Sequence, residues 1–220
     1  MTMNIETERV EPKGEKRKQE AGVGGSVVEA LAGVTAVVLS ILALAGRAPV
    51  AFAAIAVAVT GLALLFEAAA LGARDSGRSG VESESERASV KASIGADSIA
   101  GIAAIALGVL SLIGIQPMLL LPAAAIVLGA GLLLSAGGPA AERNVAAMTR
   151  QEEMARDASA AASGVHVLVG AGAVVLGIIG VLGNTPIVMT LIATLSIGAA
   201  QLLTGAAIGG RMASMLRHGT

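Results

Sequence analysis

Three ionisable residues, Glu29, Asp97 and His166, occupy one register position of a pattern that the chain uses three times. Each lies at the edge of a long apolar run, twenty residues before a proline: Pro49, Pro117 and Pro186 respectively. Two carboxylic acids and an imidazole set into apolar helices suit the reversible binding of a proton, a cation or a small polar ligand. Ionisable groups inside a membrane are costly, which makes them functional candidates by default. A fourth acid, Glu67, stands eighteen residues after Pro49, where the other copies carry Ser135 and Thr204. With a helical rise of ~1.5 Å per residue, both sets fall ~25–30 Å from the prolines, at one end of the helices and away from their middle. Water is within reach at that level, so the same residues also suit a structural role, capping or cross-linking the helices that carry them, and this is the role expected of them. Glu67 is placed either to meet Glu29 within one hairpin or to extend toward water.

The elements that must position these groups are written in the register of the prolines. Pro49, Pro117 and Pro186 are 68 and 69 residues apart, with glycine three residues before each (Gly46, Gly114, Gly183) and twelve after (Gly61, Gly129, Gly198). The match extends to Gly33, Gly101 and Gly170 at −16, to Ala36, Ala104 and Ala173 at −13, and to Leu39, Leu107 and Leu176 at −10. Three copies of one helical hairpin are the plan. In the first copy Gly33, Ala36, Ser40 and Ala43 follow Glu29 at helical spacing, a stripe of small residues. Such stripes face other helices and not lipid, because they let backbones approach closely. Gly33, Gly101, Gly170, Gly61, Gly129 and Gly198 are therefore expected to be helix-packing positions, and the ionisable groups on the same face are expected to point into the bundle at one level.

Composition sets the surroundings. A chain of 220 residues with 55% apolar and 14% charged residues departs from the norm for soluble domains and fits a membrane protein. A bilayer core of roughly 30 Å needs about 20 apolar residues per helix, and the runs 27–45, 50–66, 99–115, 118–136, 165–182 and 187–203 approach or meet that length. The expected fold is all-α, with six transmembrane helices in three hairpins arranged with pseudo-threefold symmetry. Of the fifteen Lys and Arg residues, only Arg47 falls in a short turn; the others lie in or beside the N-terminal tail, two long linkers and the C-terminal end. The positive-inside rule then puts both termini and the linkers in the cytoplasm and the three Gly-x-x-Pro turns outside. The divisions are a disordered cytoplasmic tail (1–22), hairpin one (23–74), a linker (75–93), hairpin two (94–138), a helical linker (139–159), hairpin three (160–211) and a tail (212–220).

Several activities are excluded. There is no cysteine, hence no disulfide, thiolate metal site or thiol chemistry. Phosphate-binding loops, dinucleotide fingerprints, HExxH, CxxC and nucleophile elbows are missing. His166 is the one histidine in a membrane run, and His218 lies in the tail beside Arg217, so a bis-histidine haem site within one chain is excluded. No enzyme activity, cofactor or resident metal is expected. With two Phe and no Trp or Tyr, the chain offers nothing for nucleic acid to stack on. The expected partner is the lipid bilayer, with room for a homo-oligomer and for a cytoplasmic protein docking on the weakly amphipathic stretch 141–158.

The third hairpin reads GAGAVVLGIIGVLGNTPIVMTLIATLSIGAAQLLTGAAIGGR. Three hairpins of this form, with short proline-containing outer turns, a glycine near the middle of the return helix and cytoplasmic termini, resemble the HdeD family of small bacterial inner-membrane proteins associated with acid resistance. The resemblance covers about residues 24–211 and carries no catalytic residues. It implies a non-enzymatic, structural or stress-related protein of the bacterial inner membrane. The residues leave two further classes open: a membrane anchor for a cytoplasmic complex, and a small proton-linked or solute transporter or channel.

Overall fold

The computed structural model describes residues 13–75, 84–136, 150–183 and 185–218, with side chains described chiefly over 28–73, 90–136, 164–183 and 185–206. These residues form six helices and no strand: α1 (Lys13–Leu44), α2 (Pro49–Asp75), α3 (Glu84–Leu112), α4 (Pro117–Ala136), α5 (Arg150–Leu182) and α6 (Pro186–His218). Five carry apolar segments long enough to cross a membrane: Pro49–Ala73, Val90–Leu112, Pro117–Ala136, Gly164–Leu182 and Pro186–Ala206. The described apolar part of α1, Val28–Leu44, is shorter. Helical backbone also reaches further than the expected divisions. α1 starts at Lys13, inside the stretch assigned to a disordered tail, and α6 runs on to His218, past the boundary set at 211. Linker residues 76–83 and 137–149 lie outside the described residues, as do the side chains of most of the 141–158 stretch.

Pro49, Pro117 and Pro186 are the first residues of α2, α4 and α6. A first-turn residue has no helical acceptor for its N–H, so proline loses nothing there. Two of the turns before them close in the same way. Gly46 donates to the Ala43 carbonyl at 3.0 Å and Arg47 to that of Leu42 at 3.1 Å; Gly114 donates to Ser111 at 3.1 Å and Ile115 to Leu110 at 3.0 Å. This is the Schellman arrangement, which satisfies the last carbonyls of a helix by turning one residue left-handed, here Gly46 (φ 83°) and Gly114 (φ 86°). Ala48 (φ 37°) and Gln116 (φ 36°) are left-handed as well, without a glycine to ease it. The turn at Gly183 differs, its N–H keeping a helical bond to Ile179 at 2.7 Å.

The helices pack in a closed ring in which each touches the next and α6 returns to α1; inside it α2, α4 and α6 also touch one another. Each of α1, α3 and α5 is thus wedged between two inner helices and turns its other side outward. Leu31, Val34, Val38 and Ile41 of α1, Ile99 and Ile102 of α3, and Leu168 and Val175 of α5 are exposed apolar residues on that outer side. The stripe facing inward is buried throughout: Gly33, Ala36, Ser40 and Ala43; Gly101, Ala104, Gly108 and Ser111; Gly170, Ala173, Gly177 and Gly180.

Between hairpins the backbones meet at paired glycines. A methyl group added at Gly61 would lie 2.7 Å from the Gly101 carbonyl oxygen and one at Gly101 would lie 2.6 Å from that of Gly61. The same reciprocal approach joins Gly129 to Gly170 (2.6 and 2.8 Å) and Gly33 to Gly198 (2.6 and 3.0 Å). No side chain fits at these crossings, which bring α2 to α3, α4 to α5 and α6 to α1.

Alanine at Gly61, Gly129 or Gly198 is therefore expected to lower stability by about 1–3 kcal/mol through overpacking. Gly172→Ala, where the added methyl meets nothing within 4 Å, should be neutral or stabilising by up to about 1 kcal/mol. Thermal unfolding of the purified protein in one detergent, across the four variants, checks this ordering.

Candidate functional site

The glycine crossings fix the height of the ionisable groups. Glu29, Asp97 and His166 each stand four residues, one helical turn, from the crossing glycine of their own helix: Gly33, Gly101 and Gly170. On the antiparallel partner helix, Gln201, Leu64 and Leu132 lie three residues beyond the facing glycine toward the same end, and Thr204, Glu67 and Ser135 lie six beyond. At ~1.5 Å per residue all nine positions fall within a slab ~5 Å thick.

Burial in this slab is deep. Asp97 is 0% exposed, Gln201 1%, Glu29 5% and His166 8%, while Glu67 is partly buried. The structure does not join the three ionisable residues into one set. Glu67 on α2 interacts electrostatically with Glu29 on α1 and with Asp97 on α3, so these three carboxyl groups share one corner. His166 is placed elsewhere, its Nε2 lying 3.4 Å from the Thr204 hydroxyl of α6. Glu67, for which two placements were open, stays partly exposed while interacting with Glu29 and with a neighbour in the next hairpin.

The contact with Thr204 fits the expected cross-linking role for His166. Both carboxyl oxygens of Asp97 and Oε1 of Glu29 are buried with no hydrogen-bond partner. The Ser135 hydroxyl stands beside the Asp97 carboxyl but donates to the Leu132 carbonyl at 3.2 Å. A buried oxygen left without a partner carries its full desolvation cost.

Gln201 belongs to the same slab and was missed in the sequence. The inner faces of α2, α4 and α6 stack in layers: Ala53, Leu121 and Thr190; Val57, Ala125 and Thr194; Thr60, Leu128 and Ile197; and last Leu64, Leu132 and Gln201, all buried. The hydroxyls in these layers are satisfied locally. Thr60 donates to Ala56 at 2.8 Å and Thr190 to Pro186 at 2.9 Å, while Thr194 bonds Thr190 at 3.0 Å and meets Ser40 of α1 at 3.0 Å. Both amide atoms of Gln201 are unpartnered. The signal was available, since an amide stands here at a register position that holds leucine in the other two copies.

Among the described residues no three His, Cys, Asp or Glu side chains are grouped so as to hold a metal ion. What the corner offers is acceptor oxygens without donors. Comparison with protein-family models, curated proteins and solved structures gives no match to this chain.

Replacing Gln201 by leucine restores the layer that Leu64 and Leu132 begin and removes two buried unpartnered atoms. The variant is expected to gain about 1–3 kcal/mol, the size of one desolvation penalty, read as a higher unfolding temperature in detergent. An equal or lower unfolding temperature would show that the amide has a partner in the working protein.

Proposed function

We propose that the chain is a non-enzymatic six-span protein of a bacterial cytoplasmic membrane, built as three like hairpins around a pseudo-threefold axis with both termini inside. Its role in this reading is structural and stress-related. The observation that carries it is the set of reciprocal glycine crossings, which occur at the same register position of every copy and link the hairpins into a ring. A ring closed by backbone contact is suited to rigidity. The exposed apolar outer faces of α1, α3 and α5 supply the lipid contact that such an element needs. The short apolar part of α1 becomes a sixth span once α1 is followed toward Lys13, because Glu29 is turned away from lipid. The stress-related part rests on the resemblance to the HdeD family, and the orientation rests on the distribution of Lys and Arg.

Cysteine accessibility tests topology cleanly, because the natural chain has none. Single cysteines at Ala48 and Ile115 are expected to react with a membrane-impermeant maleimide on intact cells, and one at Thr149 only after the membrane is opened. Labelling of Thr149→Cys from outside, or equal labelling of all three, would overturn the reading.

A further inference from the structure

We propose that Glu29, Glu67 and Asp97 form one proton-binding site, in which bound protons neutralise carboxyl groups whose buried oxygens have no hydrogen-bond donor. Such a site is independent of the membrane orientation and of the structural role proposed above. Three acceptor atoms, Asp97 Oδ1 and Oδ2 and Glu29 Oε1, are sealed from solvent without a partner. An ionised carboxylate accepts hydrogen bonds and donates none, whereas a protonated one also donates. The missing donors must come from a neighbouring side chain, a bound ion or a proton.

The helices packed against the corner offer few donors. α1 is packed by α2 and α6, α3 by α2 and α4, and α2 by all four of these. From α4 comes Ser135, a single hydroxyl that lies beside Asp97 and donates to the Leu132 carbonyl at 3.2 Å, so it serves at most one of the buried oxygens. From α6 come Gln201, without a partner of its own, and Thr204, which donates to the Ala200 carbonyl at 2.9 Å. Neither bears charge. The described basic side chains are remote or turned outward: Arg47 is exposed at the opposite end, and Lys91 is exposed six residues before Asp97. His166 belongs to α5, which packs on α4 and α6, and faces Thr204. Among the described side chains no cation balances the three acids.

A metal ion fits poorly, because the carboxyl groups are near enough to interact but are not grouped at ligating distance. Protons fit, since each neutralises a buried carboxyl without demanding a coordination shell. The corner also has an entrance. Glu67 is its one partly exposed member. Glu67 is accordingly the group through which protons reach Glu29 and Asp97 from the nearby end of the helices.

Infrared spectroscopy of the full-length protein in lipid vesicles tests this on the unmodified chain. At neutral pH, where solvated carboxyls such as Glu84 are ionised, the wild type is expected to show the carbonyl stretch of a protonated carboxylic acid, shifted in heavy water. Asp97→Asn and Glu29→Gln should each remove part of that band. Glu67→Gln should remove part of it and slow hydrogen–deuterium exchange of the remainder several-fold, and Glu84→Gln should leave it unchanged. Absence of the band in the wild type would overturn the proposal, as would a band that none of the three corner substitutions alters or one that sodium or potassium abolishes in favour of carboxylate. Because the wild-type spectrum alone decides the first point, failure of a variant to fold does not rescue the idea. Failure of the cysteine topology test would leave it standing.

Discussion

The structure depends on contact between backbones. In a soluble protein an apolar helix face finds its partner because water rejects it, but lipid is as apolar as leucine and provides no such drive. What remains is close van der Waals contact, and its strength grows as the backbones approach. The chain achieves this by placing glycine opposite glycine at each junction between hairpins, Gly61 on Gly101, Gly129 on Gly170 and Gly198 on Gly33, where the distances leave no room for a methyl group. The third junction joins the last helix to the first. Without it the chain would be an open row of hairpins with two unpaired faces.

Close approach at the crossings has consequences one turn away. The helices are held tightly enough there that whatever lies at the next turn is buried whether or not it is apolar. This accounts for fully enclosed polar residues in so alanine-rich a protein. In the inner layers the solution is a short hydroxyl bonded to its own helix, as with Thr60, Thr190 and Thr194, which spends no donor on a neighbour. An ionised Glu29 or Asp97 has no hydrogen to donate to a helix carbonyl, and buried side-chain atoms of Glu29, Asp97 and Gln201 remain unpartnered. The polar residues at this end are therefore of two kinds: those whose needs are met by the helix they sit on, and those whose needs the described protein does not meet.

Much of the architecture was legible because membrane helices express their contacts in residue size. Small residues at −16, −13, −9 and −6 mark a buried face in every copy, and the glycines at −16 and +12 turn out to be partners in space. Helix starts were legible in the prolines. Helix ends were harder to place: Lys13 opens α1 within a charged segment that has no apolar period, and periodicity has nothing to say about a helix without a buried face. The turns were partly legible. Glycine at −3 signals the left-handed residue of the first two, but nothing in the residue types marks Ala48 and Gln116 as left-handed too.

The site was legible as a set of positions and not as a set of partners. Register placed Glu29, Asp97, His166 and Glu67 at one height, but height says nothing about azimuth, and azimuth decides which groups meet. In a ring each outer helix faces two inner ones, so Asp97 has both Ser135 of its own hairpin and Glu67 of the preceding one beside it. The same geometry explains the difference between the copies. The junction of hairpins one and two brings two acids together, and Glu29 adds a third, whereas His166 in hairpin three finds the hydroxyl of Thr204. A threefold pattern of positions thus carries a one-sided distribution of acids, gathered around α2, with an imidazole–hydroxyl pair between α5 and α6. Packing alone does not call for that asymmetry, since leucine fills the layer position of Gln201 in the other two copies and serine or threonine serves where Glu67 stands. The ring sets where polar groups can be buried, and the departures from its repeat determine which of them are left needing a proton.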